Sequence, residues 1–123
     1  MLALGVDLVE VERVEQLLAR WGAERLGRLF TPAELRYALS SRRAAQRLAA
    51  RFAAKEAFRK AIGRPVPFRE LEIVLRQGRP WIVWNGRFYP VSLTHTARYA
   101  AAVVAAQVTP PPPRPGPSAA PAG

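Results

Sequence analysis

Residues 44–63 read AAQRLAARFAAKEAFRKAIG, a run with no glycine or proline before its last position. Alanine, leucine, arginine and lysine are strong helix formers, and a closing glycine accepts the left-handed conformation that ends a helix. The stretch therefore predicts the longest helix of the chain, from about Ala44 to Ile62, capped by Gly63. Beyond it the hydrophobic period drops to two. Leu71, Ile73 and Leu75 alternate with Glu72, Val74 and Arg76, the pattern of a strand with one buried face. Gln77-Gly78 turns the chain into Pro80-Trp81-Ile82-Val83-Trp84, and Asn85-Gly86 carries the turn chemistry of a second hairpin. Phe88 to Leu93 and Tyr99 to Val108 supply the remaining strands, the latter a continuous YAAAVVAAQV run expected to be buried.

Upstream of the long helix, LALGVDLVEV is apolar and β-rich up to Asp7, and from Val11 the residues Val14, Leu17, Leu18 and Trp21 recur at helical spacing. A strand and then a helix ending near Gly22 follow from this. Thr31-Pro32-Ala33-Glu34 has the form of a capping box with proline at the first helical position, so a short helix runs to about Ser40. The expected fold class is α+β, an antiparallel sheet packed on one face against helices, with the long central helix foremost. Residues 1–108 make the domain. The last fifteen, TPPPPRPGPSAAPAG, hold seven of the twelve prolines and read as a polyproline II or disordered tail.

A chain of 123 residues builds one core, so a larger active site would draw on a second copy. The absence of cysteine excludes disulfides, thiolate metal sites and cysteine nucleophiles. No apolar run approaches the roughly 20 residues that span a bilayer, and acids stand where a signal peptide needs a basic start. The expected location is the cytoplasm, without a membrane. The net charge is +10, and all but two of the 19 cations are arginine, which suits phosphate and carboxylate partners.

The inventory for chemistry is short. With one histidine, one aspartate and no G-x-S-x-G elbow, a hydrolytic triad is not supported. Walker and G-x-G-x-x-G loops are absent, and zinc lacks its ligands. What remains is Asp7 at the first strand and Glu56 on the long helix, where Phe52, Glu56 and Lys60 share one face and Arg51, Lys55 and Arg59 form an adjacent cationic stripe. Two carboxylates would hold Mg²⁺, with Lys60, Arg51 and His95 on substrate phosphates. The simpler reading of the spacing is an exposed Glu56–Lys60 pair. In the same way, His95 alone reads as a hydrogen-bonded residue at a strand end. Trp81, Trp84, Phe88 and Tyr89 read as cross-strand packing, and Arg13, Arg20, Arg25 and Arg28 as solvated charges.

Taken together, GVDLVEVERVE, RFAAKEAFRKAIG and VSLTHTARYAAAVV resemble, in order and spacing, the holo-acyl-carrier-protein synthases, the small bacterial 4′-phosphopantetheinyl transferases. The resemblance covers residues 1–108. It implies a phosphopantetheinyl transferase fold and the transfer of 4′-phosphopantetheine from coenzyme A to a serine of apo-acyl carrier protein in fatty-acid biosynthesis, with Mg²⁺ as cofactor and adenosine 3′,5′-bisphosphate as product. It implies Asp7 and Glu56 as metal ligands and, with Lys60, as catalytic residues. Arg51, Lys60, Gly63, His95 and Thr96 are implied for coenzyme A, with Arg51 and His95 near its 3′-phosphate. Arg13, Leu17 and Arg20 on the first helix are implied for the acidic carrier. A homotrimer with sites at subunit interfaces is implied as well. The chain differs from the family pattern after Gly63, where Arg64-Pro65-Val66-Pro67 replaces a G-T-G loop, and in a short connection between Pro80 and Ser92. The competing expectation, from charge and hairpin aromatics alone, is a basic nucleic-acid-binding module without catalysis.

Overall fold

Gly5 sets how closely the sheet and the long helix approach. A Cβ built there would lie 1.8 Å from the Ala57 carbonyl oxygen and 2.9 Å from the Ala61 amide nitrogen, so only a hydrogen fits. Around this contact the computed structural model describes residues 1–116. Five strands, β1 (Leu2–Glu10), β2 (Glu72–Arg76), β3 (Arg79–Trp84), β4 (Arg87–His95) and β5 (Tyr99–Gln107), form one antiparallel sheet in the order β1-β5-β4-β3-β2. Four helices, α1 (Val11–Arg20), α2 (Ala23–Leu26), α3 (Pro32–Leu39) and α4 (Ala44–Ile62), and a 3-10 turn at Phe68–Glu70 complete it.

The helix-facing side of β1 and β5 is built from small residues. Gly5 and Val9 on β1, with Ala100, Ala102, Val104 and Ala106 on β5, are buried against Ala49, Ala53, Ala57 and Ala61 of α4. Short side chains let α4 lie low on the sheet, where dispersion contacts are densest. Phe58 then fills the wider space over the hairpins, meeting Tyr89 at 4.9 Å and Trp84 at 5.6 Å edge to face. The capping box at Thr31 and Glu34 and the left-handed Gly63 cap form as the sequence requires. Both hairpins turn through left-handed pairs, Gln77-Gly78 and Asn85-Gly86.

Some boundaries differ from expectation. Strand β1 continues past Asp7 to Glu10 because β5 pairs with it along its whole length, from Leu2↔Gln107 to Glu10↔Tyr99. Strand β5 is not buried throughout; it alternates, with Val103 45% exposed. Leu75, expected inside, is exposed near the Gln77-Gly78 hairpin turn. The short α2 and the turn at Phe68 carry too few residues to show a period.

The other face of the sheet has no helix on it among the described residues. Leu2, Leu4, Val6 and Leu8 line it in sequence, each at least 58% exposed, with Val103 on β5 and Phe88 on β4 beside them. Residues 109–116 are exposed and hold no helix or strand, and 117–123, the rest of the expected tail, lie outside the described residues.

Candidate active site

Asp7 follows Gly5 by two residues, so it faces the same helix. The close approach at Gly5 brings its carboxylate to the last turns of α4, where the Lys60 ammonium donates to Asp7 Oδ1 and to the Val6 carbonyl, each at 3.0 Å. Glu56 lies one turn before Lys60 on the same helix face, about 6 Å away at Cβ. Its carboxylate takes Arg59 Nη1 at 3.4 Å. The surface pair of Glu56 with Lys60 is therefore not formed. Lys60 crosses to the strand instead, because Asp7 and a free carbonyl both await it there. The Asp7 and Glu56 side chains are 17% and 31% exposed, so both retain lone pairs open to a ligand.

No group of three or more acids or histidines comes together among the described residues. This donor set does not make a closed metal cage. Two accessible carboxylates on facing elements do fit a hard cation that completes its shell with water and substrate phosphate.

Beside Glu56 opens a groove of about 370 Å³ with an apolar floor of Leu29, Phe52, Pro67 and Phe68. Arg28, Arg59 and Arg69 stand around it with Glu56. Arg59 is held in place by donating Nε to the Val66 carbonyl at 2.7 Å and by stacking 4.2 Å over Phe68. Phe68 in turn meets Phe52 edge to face at 5.1 Å. The groove thus offers one carboxylate and three arginines around an apolar trough, a setting suited to an anionic ligand with an apolar part, and the Asp7–Lys60 pair stands one helical turn from Glu56.

Beneath the groove, the supposed cationic stripe turns inward. Lys55 is fully buried and donates to Glu34 Oε1 at 2.6 Å, to the Leu29 carbonyl at 2.8 Å and to the Phe68 carbonyl at 3.3 Å. Glu34 also accepts from the amides of Thr31 and Ile73 at 2.8 Å, so its carboxylate is well satisfied. Burial pushes the Lys55 ammonium below its ordinary pKa, and the Glu34 charge opposes that shift. Arg51 is also buried, stacked 4.3 Å over Tyr37, with Nη1 on the Arg47 carbonyl and Nε unpartnered. Burial likewise lowers its pKa.

The other anticipated residues are scattered in one chain. His95 is exposed at the end of β4 and pairs with Ala100, two strands from β1 and so about 10 Å away laterally. Thr96 uses its hydroxyl locally, accepting from the Arg98 and Tyr99 amides. Gly63 stays close to Lys60, its amide closing α4 on the Arg59 carbonyl at 2.8 Å. On α1, Arg13 and Arg20 are exposed and Leu17 is half-buried. Trp84 and Tyr89 pack in the core as expected. Trp81 and Phe88 pair at 6.4 Å on the uncovered face. Arg69 and Phe68 have no signal in the sequence and Arg28 reads there as a solvated charge, since the groove joins three segments far apart in the chain.

The antiparallel sheet with one long helix laid on it sets the Asp7–Lys60 contact where strand meets helix, with Glu56 one turn away on the edge of a basic groove. The family model of the 4′-phosphopantetheinyl transferase superfamily matches residues 3–104. The chain is 42% identical over 120 residues to the holo-[acyl-carrier-protein] synthase of Koribacter versatilis, covering 85% of this chain and 96% of that protein. It is 40% identical to the synthase of Thermus thermophilus, over 85% and 91% of the two chains. Among solved structures it resembles the Bacillus anthracis synthase in complex with CoA (3′,5′-ADP), with TM-score 0.72, 30% identity and coverage of 84% and 93%. The Neisseria meningitidis synthase gives TM-score 0.75 at 28% identity, over 85% and 97%. The chain belongs to the holo-[acyl-carrier-protein] synthases, enzymes of that transferase superfamily. The nucleic-acid-binding alternative finds no support in these likenesses.

Proposed function

We propose that this protein transfers the 4′-phosphopantetheine group of coenzyme A to a serine hydroxyl of apo-acyl carrier protein and releases adenosine 3′,5′-bisphosphate. The observation that carries the reading is the Asp7–Lys60 contact between β1 and α4, one helical turn from Glu56 on the edge of an arginine-rimmed apolar groove. The relative from Bacillus anthracis was solved with CoA (3′,5′-ADP) and one from Helicobacter pylori with coenzyme A, which favours the same donor here.

Asp7 and Glu56 would hold Mg²⁺, which when bound neutralises charge on the diphosphate oxygens. The residues of the chain account for the rest. The serine oxygen forms a bond to the phosphorus that carries the pantetheine arm, and the bond from that phosphorus to the bridging oxygen breaks. The electron pair leaves with the adenosine bisphosphate, whose growing charge Lys60 balances. Glu56 receives the serine proton, directly or through a water it holds. The apolar floor of the groove takes the uncharged pantetheine, and Arg28, Arg59 and Arg69 attract the phosphates.

Arg51, Gly63, His95 and Thr96 are assigned to coenzyme A, with Arg51 and His95 at its adenosine 3′-phosphate end. Arg51 suits the 3′-phosphate by its planar, permanently charged guanidinium. His95 stands apart from Asp7 in one chain, so we place the complete site between copies in a homotrimer. The uncovered apolar face of the sheet supports this assembly, since an exposed row of Leu2, Leu4, Val6 and Leu8 is costly in a lone monomer. Arg13 and Arg20, with Leu17 between them, would dock the acidic carrier. The transferase unit is residues 1–108, serving fatty-acid biosynthesis in the cytoplasm; no helix of the described residues is long and apolar enough to cross a membrane. The test is the intact mass of apo-acyl carrier protein after incubation with this protein, coenzyme A and Mg²⁺. A gain of one phosphopantetheine that EDTA prevents is expected; no gain with several carriers would overturn the reading.

A further inference from the structure

Lys55 is the one fully buried cation of the described residues, and the chemistry above does not use it. Its side chain leaves α4 next to Glu56 and passes under the groove rather than into it. There the ammonium spends its three protons on three separate segments: the Leu29 carbonyl before α3, the Glu34 carboxylate on α3 and the Phe68 carbonyl in the 3-10 turn. Leu29 and Phe68 are floor residues of the groove and come from distant segments of the chain, with no hydrogen bond between their backbones among the described residues. The Leu29 and Phe68 carbonyls are therefore both held by one side chain, anchored one residue before Glu56. Glu34 holds that ammonium in place, since its own oxygens are fixed by the Thr31 and Ile73 amides.

We propose that Lys55 is a positioning residue that clips the Leu29 and Phe68 segments to α4 and so fixes the shape of the donor groove beside Glu56. It does not touch the substrate. The inference rests on the reading that this groove receives coenzyme A. An ammonium suits the task because it can give three divergent charge-assisted hydrogen bonds at once, whereas an amide has two donors and a thioether none.

The test is calorimetric binding of coenzyme A, in the presence of Mg²⁺ and without carrier, to the wild-type protein, Lys55→Met, Lys55→Arg and Thr31→Val, at a temperature where circular dichroism finds each folded. Thr31→Val removes the α3 cap hydroxyl and its bond to Glu72 but leaves both clipped carbonyls alone. Lys55→Met is expected to weaken binding at least tenfold, while Thr31→Val lowers the melting temperature and keeps the wild-type affinity. Where Lys55→Met does not fold, Lys55→Arg carries the test. It keeps the charge beside Glu34 but its planar fork cannot serve the same three acceptors, and a fivefold or greater loss is expected. Wild-type affinity in whichever Lys55 variant folds would overturn the clip, as would equal losses in that variant and Thr31→Val. Failure of the wild-type protein to bind coenzyme A would instead overturn the reading of the groove and the clip with it.

Discussion

The Lys60 ammonium sits 3.0 Å from Asp7 Oδ1 and thereby ties the end of the long helix to the middle of the first strand, across 53 residues of sequence. This contact exists because Gly5, two residues before Asp7, lets the helix lie almost on the strand backbone. The chemistry and the packing thus meet at one seam.

Gly5→Ala tests the seam. The added methyl would strike backbone atoms of Ala57, which cannot rotate away as a side chain would. We expect a loss of about 3 kcal/mol, the upper part of the range for overpacked cores, read as a lower urea midpoint at unchanged m-value. Transfer activity should fall further than the folded fraction does, as Asp7 is moved from Glu56.

Lys60→Ala separates charge balance from metal holding. With Asp7 and Glu56 intact, metal dependence should persist while the rate falls by roughly 10²-fold, the scale of one lost electrostatic stabiliser. Titration of activity with Mg²⁺ measures both at once. A variant with wild-type rate would remove Lys60 from the chemistry.

The buried Lys55 predicts a pH signature. Desolvation sets its folded pKa below the ordinary 10.5, with Glu34 and Glu72 pulling the other way and Arg51 adding to the depression. Between the folded value and 10.5 the unfolded chain binds more protons, so the penalty of keeping this group charged is relieved, and stability rises, as pH increases through that window. Breaking the pair by Lys55→Met should cost about 3–5 kcal/mol. The cost, measured by urea unfolding, should be larger at alkaline than at neutral pH; a cost that shrinks would contradict the assignment.

The uncovered sheet face predicts assembly. Light scattering on the wild-type protein should return a trimer, and Val6→Glu, placing a charge in the exposed apolar row, should return smaller species with secondary structure intact. A monomeric wild-type protein would contradict the shared-site arrangement.

Much of this fold is legible in residues 44–107. The glycine-ended alanine-rich run gives α4, and the two left-handed turn pairs give the hairpins, since each is a local signal. The pairing of β1 with β5 is not legible, because antiparallel partners so far apart in the chain share no local pattern. For the site, the motif resemblance points to Asp7, Glu56 and Lys60, whereas helical spacing alone favours a pair of Glu56 with Lys60 that the structure replaces with Asp7–Lys60. The inward turn of Arg51 and Lys55 escapes a reading of the sequence because charged residues at i, i+4 and i+8 look the same whether they face solvent or a buried acid. Glu34, the acid in question, reads only as a helix cap, which it also is.

The central claim is that transfer depends on two carboxylates, Asp7 on β1 and Glu56 on α4. The most direct measurement is the rate at which apo-acyl carrier protein gains phosphopantetheine mass with the wild-type protein, Asp7→Ala and Glu56→Ala, each checked for native circular dichroism. The account predicts that wild-type transfer is abolished by EDTA and that each variant loses roughly 10³-fold or more in rate while staying folded. Folded variants that transfer within a few-fold of the wild-type rate would contradict it.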